Sequence, residues 1–188
     1  MELMSLNEKN RRSLLDLAYR SIESGLKTGH PLNINLRDYS AELAQQRATF
    51  VTLEKNKQLR GCIGMLEAVL PLAEDISENA FSAAFKDPRF PPLHQSELKD
   101  LEIHLSILSP SKEIDFTSEE DLIAQIRPNL DGLILESGSR RGTFLPSAWD
   151  SIPDPVQFLR HLKQKAGLAK NYWSDQIKVY RYTTEMIS

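Results

Sequence analysis

A chain of 188 residues with 40% hydrophobic and 26% charged residues has the apolar material for one globular domain with its own core. Its net charge of -3 argues against general nucleic-acid binding, which shows a basic footprint. A single cysteine excludes an internal disulfide and fits a reducing compartment.

The opening, MELMSLNEKN, carries Glu2 and lacks the basic-then-apolar order of a secretory leader. No run approaches the roughly 18 apolar residues of a membrane span. These features predict a soluble cytoplasmic protein with no membrane partner. The segment at about 5–29 reads as an amphipathic helix, with Ser5 and Glu8 as a capping box and Gly29 as its stop. Residues 30–47 are polar and weakly patterned. ATFVTLEKNKQLRGCIG reads as two strands around a polar turn near Lys55–Lys57. PLAEDISENAFSAAFKDP is framed as a helix by Pro71 and by Asp87–Pro88, and the prolines of DPRFPPL make a stiff loop. LEIHLSILSP alternates as a strand with one buried face. A short helix follows at about 118–126. DGLILES and GTFLP form strands around GSRRG, DPVQFLRHLKQKAGL is a helix capped by Asp154, and QIKVYRYT is a final strand. The mixture predicts an α+β fold, a mainly antiparallel sheet flanked by helices, in a single domain over residues 1–188.

The chain has no phosphate-binding glycine loop, no dinucleotide fingerprint and no nucleophile elbow. His30, His94, His104 and His161 show no metal-ligand spacing, so no metal is predicted, and a site assembled from distant residues stays open. The cofactor is unknown.

LRGCIG holds the one thiol. If residues 59–65 alternate as a regular strand, Arg60 and Cys62 share a face. A guanidinium beside a thiol favours the thiolate, which makes Cys62 a candidate nucleophile and Arg60 its candidate stabiliser. Gly61 and Gly64 leave space for a ligand or another backbone. The alternative is that Cys62 is a small packing residue and the glycines shape a bulge. Asp87 and Arg89 of DPRF divide the same way. They form either a capping turn or, with Arg60, part of an anion clamp lining a cleft shared with Cys62. His104, on the polar face of its strand, reads as solvated or hydrogen-bonded.

FVTLEKNKQLRGCIGMLEAVLPL, NAFSAAFKDPRFPPL, LEIHLSILSP, GTFLPSAWD and FLRHLKQKAGL together resemble the AMMECR-domain family, over about residues 10–185. The family is named for a human chromosomal region linked to a syndrome, and its microbial members are called AmmeMemoRadiSam system protein A. The resemblance implies an α+β fold with a larger and a smaller lobe, and partnership with a Memo-type protein and a radical-SAM protein. It singles out Leu59 to Gly64 and Asp87 to Phe90. Many relatives carry an acidic residue at the position of His104, so a catalytic role for it is discounted. Two functions compete. One is a component of a modification system that uses the Cys62 thiolate in a cleft with Arg60 and Arg89. The other is a non-catalytic adaptor or ligand-binding module for a partner protein.

Overall fold

The computed structural model describes residues 5–188, so Glu2 and the rest of the first four residues lie outside the described part. The fold is α+β, with two four-stranded sheets in two compact units. One unit runs to Leu108 and takes back Glu185–Ser188; the other is Ser109–Thr184. Among the described residues no helix is long and apolar enough to cross a membrane.

The first unit opens with α1 (Glu8–Thr28), which buries Leu14, Leu17, Ala18 and Ile22 at helical spacing. Its cap is Asn7 and not Ser5: the Asn7 side chain accepts the Asn10 N–H, whereas the Ser5 hydroxyl donates to Glu185 at 2.8 Å. Both residue types cap well, and a long-range bond decides between them. Gly29 ends the helix in the left-handed region, φ 75°. Strands β1 (Thr49–Lys55) and β2 (Gln58–Gly64) form a hairpin whose two turn residues, Asn56 and Lys57, both have positive φ. That turn matches the twist of the strands it joins. Helix α2 (Leu72–Phe85) packs on both strands and against α1. β3 (Leu101–Leu108) pairs antiparallel with β1. The sheet order is β2-β1-β3-β8, where β8 is Thr184–Ile187, so β2 is an edge strand. Val51, Leu53, Leu105, Ile107 and Ile187 face the core from this sheet.

The second unit contains β4 (Lys112–Glu113), α3 (Glu119–Gln125), β5 (Gly132–Ser137), β6 (Arg140–Phe144), α4 (Pro155–Lys165) and β7 (Lys178–Tyr182), in the sheet order β4-β7-β5-β6. Asp154 caps α4, with Pro155 in its first turn. The core is built on Trp149 stacked against Phe158, ring centroids 3.7 Å apart, with the indole N–H donating to the Asp131 carbonyl. Lys163 is fully buried, yet its ammonium is held by Glu119 and lies over the Trp173 ring. Strands β4 and β8 are additions to the elements expected from the sequence.

Candidate functional site

The two motifs singled out above meet at the free edge of β2. The hairpin register pairs Leu53 with Gly61 and Glu54 with Leu59, which leaves Arg60 as the extra residue of a β-bulge. Regular alternation therefore fails at Arg60, and its guanidinium has its own partners. Nε and Nη2 donate to Glu97 at 3.0 and 3.2 Å, and Nη2 donates to the Pro91 carbonyl at 2.8 Å. Arg60 is buried, and its Nη1 is a buried donor with no hydrogen-bond partner. Hydrogen bonds from Arg60, the His94 N–H and Lys55 hold the Glu97 carboxyl down at about 2.

Cys62 is gripped through its backbone. Its N–H points off the sheet edge and donates to Asp87 Oδ2 at 3.0 Å, and its carbonyl accepts from Arg89 Nη2 at 3.4 Å. The Asp87 carboxylate is buried and also takes the Arg89 N–H, Nε and Nη2, at 3.1, 3.0 and 2.8 Å. The Arg89 hydrogen bonds, with those from the two backbone N–H groups, hold Asp87 far below the usual carboxylate range. Covering an edge N–H in this way also protects the strand from pairing with another chain. The Phe90 ring lies near both arginines, its centroid 5.9 Å from the Arg60 guanidinium and 5.5 Å from that of Arg89. The half-buried Cys62 sulfur sits 3.2 Å from the Thr52 hydroxyl, its cross-strand neighbour.

The structure thus brings Asp87, Arg89 and Cys62 together and sets Arg60 beside Phe90 and Glu97. Glu97 is the residue of this candidate site that sequence reasoning missed. The available signal was HQSE, where Glu97 accepts the His94 N–H at 2.8 Å as a capping residue does. Gly61 and Gly64 both allow backbone approach: an added Cβ would lie 2.1 Å from the Ala83 carbonyl oxygen and 2.3 Å from that of Thr49, respectively. A cleft of about 660 Å³ adjoins the end of β2, lined by Ile63, Met65, Leu32, Glu74 and Glu78, but not by Cys62, Arg60 or Arg89.

Asn79 joins that lining to a buried network. Asp75 accepts from Thr49 Oγ1 at 2.6 Å and from Asn79 Nδ2 at 3.1 Å. Burial pushes its carboxyl up to about 6. The folded state therefore holds the proton more tightly than the unfolded chain. The resulting stability is full below the ordinary Asp value near 3.8 and is lost as pH rises through about 6. Asp75→Asn keeps an acceptor oxygen and removes this loss. It should exceed the wild type in stability at pH 7.5 by on the order of 3 kcal/mol, with the gap closing by about pH 4. Urea midpoints across that range check the expectation, and a gap independent of pH would refute it.

The AMMECR1 family profile matches residues 15–187, and the chain belongs to that family. A Methanothermobacter thermautotrophicus protein is 37% identical over 99% of this chain and 97% of its own length. A Thermotoga maritima protein is 39% identical, over 89% and 92%. The crystal structure of an uncharacterised Pyrococcus horikoshii protein is similar with a TM-score of 0.89 at 34% identity, covering 96% of this chain and 92% of that one.

Proposed function

We propose that the chain is a ligand-binding module within a Memo- and radical-SAM-associated modification system, and that Arg60 and Arg89, both beside Phe90, hold an anionic group of the ligand. The association with those partners rests on the family resemblance. The chemistry rests on one observation above all, the buried Arg60 Nη1 that donates to nothing. An unsatisfied buried donor is costly, and a carboxylate or phosphate oxygen that reached it on a small shift of the Arg60 side chain would satisfy it. The Arg89 side chain is 56% exposed and can turn a donor outward while Nε and Nη2 stay on Asp87. In this reading Cys62 is the residue through which the edge strand is clamped.

A second reading keeps Cys62 as a nucleophile. It is favoured by the half-buried position of Cys62, whose carbonyl meets Arg89 Nη2. Against it, Arg60 is committed to Glu97, and the sulfur meets a neutral hydroxyl, that of Thr52.

Inorganic phosphate is a sufficient probe of the first reading. It should raise the melting temperature saturably, and Arg89→Ala should weaken the apparent affinity about tenfold or more, as loss of a charged hydrogen bond does. Absence of a saturable response, or an equal response in Arg89→Ala, would overturn the anion site.

A further inference from the structure

The outer face of the first sheet gathers ligand atoms that lie far apart in sequence. In the β1–β3 register Thr52 stands opposite His104 and Glu54 opposite Glu102. Two glutamates directly across an antiparallel pair repel each other, so the arrangement calls for a cation. His104, one pair along, turns its ring to them: Nε2 lies 3.3 Å from Glu54 Oε2 and 4.0 Å from Glu102 Oε2. That Nε2 atom is buried and makes no aligned hydrogen bond. On the other side of the ring, Nδ1 is 2.7 Å from the Ser188 hydroxyl. One ligand atom from each of the three residues lies within 4.8 Å of the other two. Lys57 Nζ donates to Glu102 Oε2 at 2.9 Å from a position 81% exposed.

We propose that Glu54, Glu102 and His104 form a binding site for a divalent first-row transition ion of the Zn²⁺ type, independent of the anion site proposed above. Ligand atoms about 2.0–2.2 Å from zinc stand about 3.3–3.5 Å apart along a tetrahedral edge. The Nε2–Glu54 separation already has that length, and the Glu102 oxygen, 4.0 Å from Nε2, closes by about 0.5–0.7 Å to reach it. A proton on Nδ1 donated to Ser188 leaves the Nε2 lone pair directed at the carboxylates, the role an outer hydrogen bond plays for ligating histidines. One imidazole with two carboxylates suits zinc and its neighbours better than calcium, which takes six to eight oxygens. Three protein ligands leave a coordination position for a water or a ligand atom. Lys57 competes for Glu102 and must swing away, which an exposed lysine does freely.

The test is calorimetric titration of Zn²⁺ into the chelator-treated full chain. One saturable site is expected. His104→Ala and Glu54→Gln should each weaken it at least tenfold, Lys57→Ala should strengthen it, and Cys62→Ser and His161→Ala should leave it within about twofold. Lys57→Ala changes only an exposed side chain, so its tighter binding is a readout that misfolding cannot mimic. A wild-type chain without saturable binding overturns the proposal. So does a site that survives His104→Ala, or one that disappears in Cys62→Ser.

Discussion

Gly61→Val is expected to be the most damaging single substitution in the signature strand, lowering stability by about 3 kcal/mol or more. The edge strand and α2 approach so closely here that even a Cβ would lie 2.1 Å from the Ala83 carbonyl oxygen. The clash is between two backbones, so no rotamer relieves it. Either α2 lifts from the sheet, exposing Ala80, Ala83 and Ala84 of the core, or β2 leaves β1. Gly138→Ala is a useful contrast. Gly138 has φ 61° and open space around its Cβ position, so that change carries only the backbone cost of about 1 kcal/mol. Urea unfolding of both variants measures the difference. A Gly61→Val protein as stable as Gly138→Ala would mean that the helix and strand are not in contact as described.

Asp87→Ala should cost about 2–4 kcal/mol at pH 7 and should also change the shape of the acid limb. The substitution strips the Cys62 N–H of its partner and takes the carboxylate from three Arg89 donors, of which Nη2 keeps only the Cys62 carbonyl. Most of the cost comes from the buried N–H groups. The ion pair itself is half exposed on the arginine side and counts for less. The pH dependence follows from the direction of the shifts. Asp87 and Glu97 are both held below their ordinary values, so their stabilisation is complete above the unfolded carboxyl range and drains away as pH falls. For Glu97 the loss runs from near 4.5 down to about 2. Asp87→Ala removes one of these two contributions, so its stability should fall less steeply below pH 4 than that of the wild type. Denaturant midpoints at pH 7, 4 and 3 decide this, and parallel curves would show that Asp87 is not the group that titrates.

Much of this architecture could be read from residue patterns, because most elements are set by local rules. The helical spacing of Leu14, Ala18 and Ile22, the Asp154–Pro155 helix start and the alternation of Leu101 to Ile107 each carry their own signal. LRGCIG and DPRF were visible as the unusual stretches. What escaped the reading depends on register and on long-range partners. The bulge at Arg60 shows only when β2 is laid against β1, so strict alternation through residues 59–65 does not hold. Glu97 is 37 residues from Arg60. Ser5 was taken as the cap because nothing nearby shows that Glu185 claims it. His104 shows no ligand spacing within the sequence, since Glu54 reaches it only across the strand pair.

Cys62 is clamped through its backbone N–H and carbonyl, and its sulfur meets the Thr52 hydroxyl. Its alkylation by iodoacetamide at neutral pH, followed by intact mass in the native and the urea-unfolded protein, addresses that directly. Partial burial and the contact with the Thr52 hydroxyl predict native labelling at least about tenfold slower than unfolded labelling, and unchanged in Arg89→Ala. A native thiol that reacts faster than the unfolded one, and slows when Arg89 is removed, would be an activated nucleophile and would contradict the account.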